Sequence, residues 1–151
     1  IGHDGRVALL VWGDPSLYDS TLRIAGRVGR TLPLAVRVVP GITSLQALTA
    51  AHAIPLNELG EPFIVTTGRQ LRDHGWPAGV RTVAVMLDGE CSFESVAPEG
   101  VTIWWGAYLG MADELILSGP LSETAGRIVA TRAAARERHG WIMDIYILCR
   151  G

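Results

Sequence analysis

Apolar residues fall in short blocks along this chain, and the turn residues between them limit what each block can become. Residues 7–11 (VALLV) form an unbroken apolar run, too short for a helix and stopped by Gly13. Such a run reads as a strand covered on both faces, with Asp14 at its carboxyl end. Asp14 suits a helix cap, and Pro15 suits a first helical turn, where its missing N–H costs nothing. Residues 36–39 (VRVV) repeat the pattern: a short strand, a Pro40-Gly41 turn, then a helix. Thr43 or Ser44 caps that helix, which runs through the Ala-rich residues 47–53 and stops before Pro55. Glu58-Leu59-Gly60-Glu61-Pro62 is a turn-rich hinge. Beyond it the pattern predicts strands over 63–67, 82–87, 101–105, 115–118 and 142–148, and a loop over 68–72. Residues 121–139 place Ala125, Ile128, Val129 and Ala133 on one helical stripe with arginines opposite, and Gly140 ends that helix.

The elements make an α/β chain of two lobes, residues 1–57 and 58–151, the second built on a mixed sheet. In open α/β sheets ligands bind beyond the carboxyl ends of strands. Two strand–turn–helix units ending in small and polar residues therefore share one crevice, and Gly13 lets a ligand approach the backbone there. The plain alternative for Asp14-Pro15 is that it opens a helix and does nothing else.

Composition changes this picture little. The 151 residues suit one domain or a piece of a larger protein, and 48% of them are apolar against 19% charged. A net charge of −2 gives no broad basic field for nucleic acid. All 13 basic residues are arginine, whose planar fork matches carboxylates. Cys91 and Cys149 show no CxxC spacing and no metal-like histidine partners, which fits a reduced, cytoplasmic interior. There is no apolar run long enough to span a membrane, and Ile1-Gly2-His3-Asp4 is not a signal peptide.

Taken together, the phrases WGDPSLYDS, VVPGITSLQALTAAHAIPL and TTGR resemble the tetrapyrrole methylase family, which moves methyl groups from S-adenosylmethionine to porphyrinoid carbons. VMLDGEC, WWGAYLG, ELILSGPL and HGWIMDIYIL are similar to the deacetylating branch of that family. The resemblance runs over residues 7–148. It implies a two-lobed fold of the tetrapyrrole methylase kind. Family members carry an earlier strand and Gly-rich loop before the GDP phrase. The chain, starting at Ile1, is thus expected to be the carboxyl-terminal part of a longer enzyme, its first lobe short of strands. The implied reaction is methylation of precorrin-5 at C1 with release of acetate, giving precorrin-6A, in a cytoplasmic homodimer with no metal, no nucleic acid and no membrane partner. The alternatives are methylation of a different tetrapyrrole carbon, or a nucleotide-binding fragment without turnover.

Carried over position by position, the family's S-adenosylmethionine site falls on Gly13, Asp14 and Leu17, on Thr43 and Ser44, on Met86 and Leu87, and on Ala107, Tyr108, Leu109 and Gly110. Read without the family, Met86 is a core filler in a strand, and Gly106 with Gly110 brackets an ordinary turn. Through the resemblance, Gly106 to Gly110 becomes a bed on which a flat adenine lies. Deacetylation needs a general base and a stabilised oxyanion. Asp14, Tyr18, Asp19, Asp88 and Glu90 are the candidates, with burial after a strand raising the carboxyls of Asp88 and Glu90. The plain alternatives are a hairpin turn at Asp88-Gly89 and a solvated Glu90. A polycarboxylated macrocycle calls for arginine forks, and Arg69, Arg72 and Arg23 are the candidates, each otherwise a solvated side chain. His52 and His139 suit core or capping roles, and His3 and His74 carry no assignment. Trp104-Trp105 either packs on the ring system or reflects alternating burial in a strand.

Overall fold

A computed structural model describes residues 5–151, so His3 and the chain start at Ile1 lie outside the described residues. The chain divides into two compact units, Ile1–Ser44 and Leu45–Gly151.

In the first unit the strands expected over 7–11 and 36–39 do not form. Val7, Leu9, Leu10, Val36, Val38 and Val39 are exposed, Leu10 completely. A strand needs ladder partners for its backbone groups, and among the described residues neither segment pairs with a strand. Asp14 opens no helix either. Its carbonyl accepts the Leu17 N–H at 3.3 Å and closes a turn, the local preference of a Gly-Asp-Pro-Ser sequence. The helix begins seven positions on as α1 (Thr21–Val28), where the Asp19 carboxylate accepts the Thr21 N–H at 2.6 Å. Asp19 thus satisfies the orphan donor that was expected to fall to Asp14.

The second unit is built on five strands, β1 (Phe63–Thr67), β2 (Thr82–Met86), β3 (Val101–Ala107), β4 (Leu115–Pro120) and β5 (Asp144–Arg150), in the order β1-β2-β5-β3-β4. β1 and β2 pair in parallel and every other pair is antiparallel, so the sheet is mixed, as expected. Residues 68–72 are not a loop. They belong to α3 (Gly68–His74), whose first turn is capped by the Thr67 hydroxyl accepting the Gln70 N–H at 3.4 Å.

Alternation along the strands splits the unit's core into two layers. On one face α2 (Ser44–His52), which apart from its first residue lies in this unit, sets Leu45 and Leu48 on Ala84, Ile145 and Ile147. On the other face α3, a 3₁₀ turn over Ser92–Ser95 and α4 (Leu121–His139) bury Leu71, Phe93, Leu121 and Ile128 against Val83, Val85, Ile103 and Leu148. Trp105 is buried on the α4 face and Trp104 packs on the α2 face, so strand alternation accounts for both.

α4 has the expected bounds, and Gly140 ends it in the left-handed conformation (φ 74°). Of the predicted stripe, Ile128 is buried and Ala125 and Val129 pack half-buried against the core, as expected. Ala133 is exposed, and the stripe runs from Ile128 through Arg132 to Ala135. Helical spacing carries Arg132 onto the face that meets the sheet.

Candidate functional site

Strand directions place the site candidates of the second unit. β2 is parallel to β1, while β2 and β3 are each antiparallel to β5. The carboxyl ends of β1, β2 and β3 therefore share one edge with the amino end of β5, so Thr67, Met86, Ala107 and Asp144 lie along it. This is the edge where a ligand of an open α/β sheet is expected.

Both candidate loops leave this edge through a left-handed residue, Leu87 (φ 53°) after β2 and Tyr108 (φ 52°) after β3. Non-glycine residues hold that conformation only where the surroundings enforce it. Leu87 is 66% exposed. Met86 is half-buried on the α2-facing core, so it fills the core and still reaches the edge. Tyr108 is buried, with its N–H donating to the Met143 carbonyl at 3.1 Å and its hydroxyl to the Trp141 carbonyl at 2.6 Å. Its ring meets Trp141 edge-on at 5.1 Å and leans on His139 at 5.0 Å. Gly106 packs closely against its neighbours. A Cβ there would stand 2.7 Å from Leu109 Cδ2 and 2.8 Å from Leu48 Cδ1, so side chains already fill its space. Gly110 is open, and its N–H donates to Glu114 Oε2 at 2.7 Å. His52 takes a structural place, its Nε2 within 3.0 Å of the Trp105 carbonyl oxygen.

Asp88, expected as a general base or otherwise a hairpin turn, does not sit in a hairpin. β2 has no hairpin partner after it, since its neighbours are β1 and β5. The carboxylate is buried and takes four donors: the Glu90 N–H at 3.1 Å, the Ser92 N–H at 2.6 Å, the Ser92 hydroxyl at 2.9 Å and the Tyr146 hydroxyl at 2.7 Å. That fills the acceptor sites of two carboxylate oxygens. Burial, and then the adjoining Asp88 charge, push the Tyr146 hydroxyl far up, which keeps it a donor. Glu90 is exposed and pairs with Arg72 at 2.7 Å, so two candidates, a base and a substrate arginine, hold each other. Arg69 stands exposed at the start of α3.

The residue that sequence reasoning passed over is Arg132. Its Nε donates to Asp144 Oδ2 at 3.0 Å, and its Nη2 donates to the Asp88 carbonyl at 3.0 Å. The same Asp144 oxygen accepts the Trp105 indole N–H at 2.9 Å. Burial raises the Asp144 carboxyl above its ordinary range, although the Trp105 and Arg132 donors pull it the other way. The signal was a charged residue in the apolar register of α4, between Ile128 and Ala135.

In the first unit the two glycine turns touch. A Cβ on Gly41 would overlap the Gly13 carbonyl oxygen, and one on Gly13 would lie 3.2 Å from Thr43 Cα. Asp14 fastens them: one oxygen accepts the Ser16 N–H and hydroxyl, and the other accepts the Gly41 N–H at 2.9 Å. The Ser16 hydroxyl, then the Gly41 and Ser16 N–H groups, hold this carboxyl below its usual range. The GDP and PGIT phrases thus meet as expected, although the strands expected to deliver them are absent. Thr43 precedes the first residue of α2, Ser44, and Leu17 is half-buried. Tyr18 is left-handed (φ 51°) with its hydroxyl raised by burial. Arg23 bonds back to the Asp19 carbonyl at 2.6 Å. Among the described residues no group of three or more His, Cys, Asp or Glu is placed to hold a metal, and no helix is long and apolar enough to cross a membrane. Cys91 and Cys149 are free thiols.

Residues 2–125 match the family model of the Tetrapyrrole (Corrin/Porphyrin) Methylases. The chain belongs to this family. It is 53% identical over its whole length to a precorrin-6A synthase [deacetylating] from Sinorhizobium sp, and it spans 58% of that relative's length. A solved cobalamin synthesis related protein (CobF) from Corynebacterium diphtheriae is 45% identical with a TM-score of 0.91, covering 97% of this chain and 62% of that one. A uroporphyrin-III C-methyl transferase from Thermus thermophilus, solved with S-adenyl homocysteine, shares the fold at 21% identity and a TM-score of 0.56 over 91% of this chain and 62% of its own. Tetrapyrrole methylases thus supply the fold in which Gly13, Asp14, Met86 and Tyr108 are placed.

Proposed function

We propose that this chain serves an S-adenosylmethionine-dependent C-methyltransferase of cobalamin biosynthesis, which methylates precorrin-5 at C1 and releases the acetyl unit as acetate. The observation that carries this reading is the 53% identity, over the whole chain, to a precorrin-6A synthase [deacetylating]. The bound cofactor would supply an electrophilic methyl group that leaves its sulfur as the substrate carbon attacks. Such a step asks for positioning more than for acid or base.

The residues suit that task. In the second unit Met86 and Leu87 offer an apolar wall, and the Ala107–Gly110 turn offers backbone groups held by Met143 and Glu114. In the first unit Gly13, Leu17, Thr43 and Ser44 offer small groups at a turn that Asp14 keeps closed. Arg69, Arg72 and Arg23 are proposed for the substrate carboxylates, with Glu90 holding the Arg72 fork in place. For acetate release, Asp14, Tyr18, Asp19, Asp88 and Glu90 are the proposed candidate bases. A cytoplasmic homodimer is part of the same reading, supported by an apolar fraction suited to a buried subunit interface.

Calorimetric titration of the chain with S-adenosylhomocysteine tests the reading. Micromolar binding supports it, and a folded chain that binds nothing removes it for this chain. Binding without turnover on precorrin-5 would favour a nucleotide-binding fragment, the alternative suggested by a chain that spans 58% of its relative.

A further inference from the structure

We infer that Arg132 is a positioning residue for the ligand edge, setting the two left-handed turns at Leu87 and Tyr108 through one guanidinium. The inference takes from the proposed function only that these turns face the cofactor.

The grip is double. Nη2 holds the Asp88 carbonyl, one residue beyond Leu87, at 3.0 Å. Nε holds Asp144 at 3.0 Å, and Asp144 is the register partner of Ala107, one residue before Tyr108. Trp105 on β3 donates to the same Asp144 oxygen at 2.9 Å, so the guanidinium ties together the ends of β2, β5 and β3, three neighbours in the sheet. Each tie sits next to a residue whose backbone is strained, and such strain persists only where the surroundings over-determine it.

Stability alone does not explain the arrangement. The side chains of Arg132 and Asp144 are only 11% and 7% exposed, and a buried ion pair seldom outdoes a well-packed apolar pair of similar volume. What an apolar residue cannot do is fix two acceptors at a set angle. Lysine cannot either, because its ammonium is a point charge without a planar fork. The Asp88 carboxylate clamps Ser92 and Tyr146, while Arg132 takes the Asp88 carbonyl and links this turn to Asp144 beside the β3 end.

The test uses the full chain with Arg132→Met and Arg132→Lys, read by amide hydrogen exchange and by S-adenosylhomocysteine titration. In both variants exchange should rise about tenfold or more at residues 87–90 and 107–109, the loss of one charged hydrogen bond, while residues 83–85 and 103–105 stay protected. Ligand affinity should fall by a similar factor, with the Lys variant failing to restore it. A uniform rise across the sheet, no rise at the turns, or an unchanged affinity beside loosened turns would each overturn the inference. Should Arg132→Met not fold, the Lys variant decides by the same readouts. If the wild-type chain binds no S-adenosylhomocysteine, the methyltransferase reading fails, and exchange at the turns still decides whether Arg132 sets them.

Discussion

Gly68 lies directly against the carboxylate of Asp88: a Cβ on Gly68 would overlap Asp88 Cγ. α3 thus begins at the one residue type that leaves this side chain room, and the glycine of the TTGR phrase answers to a carboxylate twenty positions later. Asp88 cannot step aside, because four donors hold it. Gly68→Ala should therefore destabilise the chain by about 1–3 kcal/mol, the usual cost of overpacking. Urea denaturation measures this, and an unchanged midpoint would mean that Asp88 yields.

Tyr146→Phe removes one of those donors and keeps the ring, which meets Phe93 edge-on at 5.2 Å. The buried carboxylate then loses a partner, at about 1–3 kcal/mol. The expected result in guanidinium denaturation is a lower midpoint with an unchanged slope.

Asp14 gives a pH dependence of known sign. Its carboxyl is held below its ordinary value of 3.8 in the folded chain, so its contribution is present above that value and disappears as pH falls through the folded one. The Gly41 amide resonance should titrate below pH 3.8, and in Asp14→Asn that titration should vanish. A Gly41 shift that titrates in the Asn variant would assign the transition to another group.

Asp144 behaves in the opposite sense. Burial raises its folded value above 3.8, so its stabilising contribution is full below 3.8 and is lost as pH rises through the raised value. Urea midpoints for Asp144→Asn should be flatter than wild type from pH 3.8 upward. A parallel pair of curves would show that Asp144 does not titrate in that window.

Arg72 and Glu90 pair at the surface, where solvent and salt weaken the attraction. A double-mutant cycle should give a coupling of about 0.2–1 kcal/mol, falling as salt is added. A larger, salt-independent value would mean that the pair is held by more than charge.

The sequence pattern anticipated the sheet well because its strands are long, β-branched and set off by turns. Val83, Val85, Ile103 and Leu148 all fall where alternation puts them, and α4 starts and ends as its periodicity predicts. It misjudged residues 7–11 and 36–39 because an apolar run states a preference for burial, and only ladder partners turn that preference into a strand. The Gly13–Gly41 contact was still legible, since its glycines and Asp14 act locally. The Asp88 clamp was not, since three of its four donors come from the two residues Ser92 and Tyr146, the second on a strand far along the chain. Arg132 was hidden for a simpler reason: a stripe read by its apolar members skips the charged one in register.

β5, the latest of the described strands in chain order, occupies the middle of the sheet, between β2 and β3. β1 and β2 on one side, and β3 and β4 on the other, have no ladder between them until residues 144–150 are in place. During synthesis the ligand edge therefore stays in two halves until residues 144–150 have been made. The slow, long-range step of folding is the insertion of a central strand, not the addition of an outer one. Proteolytic removal of these few residues would split the sheet down its middle instead of trimming its rim.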